Sequence, residues 1–243
     1  MNAKITITPD EAAFDQAAAR VLTDQMRAKP DSVIGLSTGR TTGALHRETV
    51  RLVKETGVDV SGITLFGLDE VSGVSRDYSG ACYTMLLTEI AGPLGIGEDH
   101  FLMLPTKSPN FPAVCRSFSE ELRRRGGVDL LELGLGENGH LGFNQPGSSF
   151  DSRARLSRID PVLEARIRRE TASPEGLLLG GVTLGLADIM EARRLLLVAK
   201  GAHKAEAVYR MLNGPVSEEF PASILQRHPH CEFMFDPAAS SLL

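Results

Sequence analysis

Short apolar runs alternate with amphipathic stretches of helical length along the chain, and this alternation limits the fold more than any other feature. SVIGL (32–36), ITLFGL (63–68) and VDLLELGLG (128–136) have the character of strands covered on both faces. RLLLVAK (194–200) and CEFMFD (231–236) continue the series, with KITIT (4–8) and a short run at 101–104. Helical patterns fall between them, over 42–55, 78–91, 111–125, 183–191 and 203–213. The segment Thr8-Pro9-Asp10-Glu11 reads as a capping box with Pro at the first helical position, opening a helix to about Arg27. Strand and helix in turn predict an α/β fold with a mainly parallel sheet and helices on both faces. With no linker or repeat, one domain is expected over residues 1–243. Glu132 interrupts the apolar run at 128–136 and counts against its full burial.

The bulk chemistry narrows the function. The chain has 243 residues, enough to bury a sizeable core without cross-links. Its formal charge of −5 argues against nucleic acid as a partner, so an anionic substrate would have to be held by a local basic cluster. Trp is absent, which removes the usual stacking platform for single strands. Cys82, Cys115 and Cys231 lie far apart with no CxxC spacing, which fits a reducing cytoplasm rather than a disulfide framework or a zinc site. The N-terminal MNAKITIT lacks the apolar core of a signal peptide. No run approaches the ~18 apolar residues of a membrane span.

In open α/β sheets, ligands bind beyond the carboxyl ends of the strands, and three polar segments fall there. Ser37-Thr38-Gly39-Arg40-Thr41 turns from strand to helix, where backbone N–H groups and the helix dipole favour anions. Thr38 and Thr41 add hydroxyls and Arg40 a guanidinium, although neither a Walker nor a GxGxxG pattern is present. Without a ligand, the same segment is an ordinary strand-to-helix turn. Asp69-Glu70 ends an apolar strand, where Asp69 suits a proton-transfer base and either residue suits a turn cap. The third segment, 134–147, is dense in glycine and places His140 between Asn138 and Gln145, both able to orient an imidazole for acid–base work.

A basic supply follows in Arg153, Arg155, Arg158, Arg166, Arg168 and Arg169, then Lys200 and Lys204, most of it expected on a solvated face. His228-Pro229-His230 has the wrong spacing for a metal pair and no third ligand nearby, and no metal or cofactor is expected.

With these residues assembled, the sequence resembles the glucosamine-6-phosphate deaminase/isomerase family, its galactosamine-6-phosphate branch included. The most specific stretch is LGLGENGHLGFNQPGSSF (133–150), supported by LSTGRTTGAL, LDEVSG and GAHKAEAV. The resemblance implies a modified Rossmann-like fold and a metal-free aldose–ketose isomerisation coupled to loss of ammonia from a hexosamine 6-phosphate. It implies that Asp69 moves the proton between C2 and C1, that His140 opens the pyranose ring, and that Asn138 and Gln145 complete the catalytic set. It assigns the phosphate to Thr38, Gly39, Arg40 and Thr41 with Arg169 and Lys204, and Arg168 replaces Arg169 if the register slips by one.

This chain departs from the family pattern where Gln145 replaces a Glu that works with the histidine, and where Arg40 replaces a small residue. Asn138 stands where members carry Asp or Asn. Arg155 occupies a position used in allosteric members, but its Lys partner there reads Ser157. The expected partner is a small sugar phosphate, for a protein acting as a monomer or small homo-oligomer. Three other functions share these residues: an isomerase that releases no ammonia, a 6-phosphogluconolactonase-like hydrolase, and a sugar-phosphate sensor without turnover. The loop GHLGFNQP disfavours the lactonase, whose loop reads closer to GxDGHTASLF.

Overall fold

The computed structural model describes residues 4–174 and 176–243; Met1–Ala3, which open the N-terminal stretch, and Glu175 lie outside it. Strands β1 (Lys4–Ile7), β2 (Val33–Leu36), β3 (Thr64–Gly67), β5 (Phe101–Leu102), β6 (Leu130–Gly134), β9 (Leu195–Ala199) and β10 (Cys231–Phe235) form one sheet in the order β1-β10-β9-β6-β2-β3-β5. Every pairing in it is parallel. The strands' two-residue period separates two apolar layers. Val33, Phe66, Leu131, Leu133, Leu195, Leu197 and Phe233 face one side; Ile34, Leu65, Leu130, Leu196, Val198 and Met234 face the other.

Helices α1 (Glu11–Ala28) and α2 (Thr42–Thr56) cover the second layer through Phe14, Leu22, Met26, Leu45 and Val53. The other layer is covered by α5 (Phe111–Arg124), α7 (Leu186–Met190) and α8 (Ala205–Asn213), through Phe118, Leu122, Ile189, Val208 and Met211. This is the α/β sandwich of helix layers that the apolar pattern predicts.

A second, smaller sheet was not legible in that pattern. Strands β4 (Asp69–Ser72), β7 (Arg155–Ser157) and β8 (Gly180–Thr183) run antiparallel in the order β4-β8-β7. Helix α6 (Pro161–Thr171) packs Ile167 against Val71, Phe143, Ile159 and Leu179 in a separate cluster. Asp69 therefore opens a strand of its own instead of ending β3.

Two local readings are corrected. The helix predicted over 78–91 starts at α3 (Cys82–Leu86), passes through a π turn (Leu87–Ala91) and ends in α4 (Gly92–Leu94). Helix α1 is capped by Asp10, whose side chain accepts from Ala13 N at 2.8 Å, so Pro9 precedes the cap. Thr8 donates instead to the Asp10 and Phe235 carbonyls, because chain pairing with β10 continues to Thr8 N. Among the described residues, no helix is long and apolar enough to cross a membrane.

Candidate active site

All seven parallel strands end on the same edge, and β2 and β6, adjacent in the sheet, deliver their following loops side by side. Between these loops and the small sheet lies a cavity of about 430 Å³. The 37–41 loop, Asp69, Cys82, Gly136, His140, Arg166 and Lys204 all line it. Asp69 is the one carboxylate residue among the lining side chains; Arg40, Arg166 and Lys204 supply three cations.

The 37–41 loop is tied down from below. Glu132, fully buried, accepts from Ser37 N at 3.0 Å and Ser37 Oγ at 3.1 Å, while Gly134 N donates to Ser37 Oγ at 2.9 Å. The charge that interrupts the β6 pattern is therefore a buried acceptor for the adjoining loop. His46 lies beneath it, also fully buried, with Nδ1 3.0 Å from Glu89 and Nε2 3.6 Å from Glu132. Burial alone lowers the His46 pKa, but its two carboxylate neighbours outweigh this and raise it overall. The upward shift favours the protonated ring, whose charge offsets that of the carboxylates below a loop suited to bind an anion. Thr41 at the start of α2 makes no side-chain capping bond, leaving helix-end amides to a ligand.

Across the cavity, β6 leads into the glycine-rich segment. An added Cβ at Gly136 would run into the His140 ring, so only glycine lets the imidazole sit there. His140 Nδ1 lies 2.6 Å from Asn138 Oδ1, which also accepts from His140 N at 3.2 Å. Asn138 Nδ2 in turn donates to Gln145 Oε1 at 3.0 Å. Because Asn138 Oδ1 can only accept, Nδ1 carries the proton and Nε2 of the neutral ring is left as an acceptor. Burial, then the Lys204 charge, lowers the His140 pKa, which keeps the ring neutral near pH 7. Gln145 thus reaches His140 only through Asn138, and neither amide is among the lining residues.

Asp69 is buried, and burial, with Glu70 and Glu132 nearby, pushes its carboxyl up to about 7. Its neighbour Glu70 faces away, accepting from Val71, Cys82 and Tyr83 N–H groups at 2.7–2.9 Å and fastening β4 to α3. Gly142, at φ 56°, brings the glycine-rich segment against Asp69; an added Cβ would lie 3.1 Å from Oδ2.

The structure brings together Thr38, Gly39, Arg40, Thr41, Asp69, His140 and Lys204. It does not bring Arg169, which is exposed on α6 and absent from the lining. Arg168 points elsewhere, to Glu164 and to the Pro174 and Leu177 carbonyls. Arg166 stands at the cavity instead, because it neighbours Ile167, whose side chain seats α6 on the small sheet. Six arginines in one segment gave no periodicity that would single it out. Cys82 and Glu132 were also missed as site residues; a lone cysteine and a lone acid in an apolar run carry no spacing signal. Arg155 donates to Ser148 Oγ at 3.2 Å and Ser157 to the Phe143 carbonyl at 3.0 Å, so both brace the glycine-rich loop. His228 accepts at Nδ1 from His230 N and faces the Ala192 carbonyl with Nε2, a structural arrangement. Among the described residues, no group of three or more His, Cys, Asp and Glu side chains is placed to hold a metal ion.

Comparison with known proteins adds a family. The model described as glucosamine-6-phosphate isomerases/6-phosphogluconolactonase matches residues 9–233. The glucosamine-6-phosphate deaminase of Rhodopirellula baltica is 35% identical over 99% of this chain and 96% of its own length. That of Clostridium acetobutylicum is 32% identical, over 99% and 100%. A solved monomeric glucosamine-6-phosphate deaminase superposes with a TM-score of 0.91 at 31% identity, covering 99% of this chain and 100% of the other. The 6-phosphogluconolactonase of Trypanosoma cruzi shares the fold, with a TM-score of 0.77 at 19% identity over 100% and 97%.

Proposed function

The chain belongs to the glucosamine-6-phosphate isomerase/6-phosphogluconolactonase family, and on that premise we propose that it converts a hexosamine 6-phosphate, of the glucosamine or galactosamine type, into a ketohexose 6-phosphate and ammonia. The observation that carries this reading is one cavity holding a buried carboxyl of raised pKa, a neutral imidazole of defined tautomer and three cations.

The 37–41 loop, Lys204 and Arg166 hold the phosphate, which places the sugar between Asp69 and His140. His140 Nε2 takes the anomeric hydroxyl proton and returns one to the ring oxygen, opening the pyranose to its aldehyde. Asp69 in its carboxylate form removes the C2 proton while the electron pair moves toward the C1 carbonyl, whose oxygen takes a proton from the substrate ammonium, and Asp69 keeps the C2 proton. Return of that proton to C1 leaves an iminium at C2, and addition of water followed by loss of ammonia gives the ketone. The residues supply only proton transfer and charge, so the chemistry requires no cofactor. One isomerase-like domain then accounts for the whole chain, and its three buried, unpaired cysteines suit the cytoplasm. The similar solved deaminase is monomeric, which supports a monomer over a small homo-oligomer.

A second reading, isomerisation without deamination, draws on the Asn138–Gln145 pair, which brings no carboxylate beside a substrate ammonium. Incubation with a panel of hexosamine and hexose 6-phosphates, following ammonia and ketose together, separates the two. Ammonia released in step with ketose from a hexosamine 6-phosphate is the expected result. Ketose from hexose 6-phosphates alone establishes the second reading, and binding without any product leaves a sensor.

A further inference from the structure

Cys82 begins α3 with its side chain in the cavity wall, where the mechanism above gives it no part. Its Sγ lies 3.5 Å from Asp69 Oδ1 and 3.2 Å from Thr38 Oγ1. The thiol donates to the carboxylate and accepts from the hydroxyl, forming a continuous line from the phosphate loop to the base. The line joins two sheets, since Thr38 follows β2 of the large sheet and Asp69 opens β4 of the small one. Glu70 fixes where the thiol stands by holding the N–H groups of Cys82 and Tyr83.

Resting on the reading above, we propose that Cys82 is a positioning residue that holds Asp69 Oδ1 and thereby aims Oδ2 at the substrate's C2, with Thr38 polarising the thiol from the phosphate loop. Oδ2, the oxygen the thiol does not hold, lies against Gly142, where an added Cβ would stand 3.1 Å from it and only the missing side chain makes room. Among the described residues, the cavity's cations Arg40, Arg166 and Lys204 form no ion pair with Asp69. The charged groups near Asp69 are Glu70 on its own strand and Glu132 on β6, while α3 offers Cys82, β8 Thr183 and the loop Gly142, all uncharged. Burial raises the Cys82 thiol well above its ordinary pKa, so it stays an S–H donor through the working range. A chain of two hydrogen bonds also strengthens each of its members.

The test compares Cys82→Ala, Cys82→Ser and Thr38→Val with the wild type by two readouts. Carbon-13 carboxyl NMR follows the Asp69 titration in ligand-free protein, and kcat against pH follows the same group during turnover of glucosamine 6-phosphate. Cys82→Ala is expected to raise the Asp69 midpoint, to move the acid limb of kcat with it, and to lower kcat about tenfold with KM within about twofold. Cys82→Ser keeps a donor and is expected to restore both midpoint and kcat; it carries the test should the alanine variant melt early. Thr38→Val makes no new contact with Asp69, yet is expected to shift the ligand-free midpoint in the same direction by less. An unmoved Asp69 midpoint in Cys82→Ala, or a serine variant no better than alanine, overturns the proposal. A wild type that turns over no hexosamine phosphate overturns the functional reading instead, and the NMR titration still decides the role of Cys82.

Discussion

Because the Asp69 carboxyl titrates at about 7 in the fold and near 3.8 when exposed, folding favours its protonated form. The associated stabilisation is complete below about pH 3.8 and is lost as pH rises through about 7, on the order of 4 kcal/mol when fully ionised. Asp69→Asn keeps the shape without the ionisation. Its thermal midpoint should exceed the wild type's at pH 8 and match it near pH 4, while kcat falls ~100-fold or more from loss of the base. Equal gains at both pH values, measured by calorimetry, would show that burial does not set this group. Wild-type turnover should in turn rise with pH through about 7, as the base ionises. At Gln145 the expectation is different. A carboxylate there would accept from Asn138 and polarise it, raising the His140 pKa. Gln145→Glu should therefore move the His140 limb of the pH–rate profile upward and increase ammonia release relative to ketose formed from hexose phosphates. A slower deamination in that variant would show that the neutral amide is the better partner.

At the scale of elements, α6 explains why one arginine of six matters. Ile167 faces the small sheet, which leaves Arg166 at the cavity and Arg169 in solvent. Arg166→Ala and Lys204→Ala should each raise KM for 6-phosphorylated sugars ~10- to 100-fold, as expected for a charge-assisted bond, with little change for unphosphorylated ones. Arg169→Ala should stay within about twofold. Steady-state kinetics on both substrate types checks all three. Ser37→Ala removes one bond to buried Glu132 and the acceptor of Gly134 N, so it should cost about 1–3 kcal/mol in denaturant unfolding and raise KM. The strands of the large sheet were legible because apolar runs report burial on two faces directly. The small sheet was not, since β4, β7 and β8 are short and mix Asp, Glu, Arg, Ser and Gly with their few apolar residues. Its pairing depends on contacts between distant segments that no local pattern records. The site divides in the same way: the Gly-rich loop and the 37–41 turn declare themselves locally, whereas Cys82 and Arg166 acquire a place only through packing.

For the whole molecule, much of the two apolar layers stands apart from the cavity, and Phe66 illustrates this. It is fully buried, packs edge-on to Phe118 and lies outside the cavity lining. Phe66→Ala should destabilise by ~3–5 kcal/mol while leaving kcat of the folded fraction close to wild type. The order of strands has a consequence in time as well. Strand β6 is bonded to β2 on one side and β9 on the other, Leu131 aligning with both Gly35 and Leu195. Closing these long loops must precede the contacts that reward it, which makes such pairings slow. The 37–41 loop and the glycine-rich loop start where β2 and β6 stop, so they meet only after the sheet's centre has closed. During refolding from denaturant, helical circular dichroism should recover first and the ability to release ammonia last, with the lag between the two signals measuring closure of that central seam.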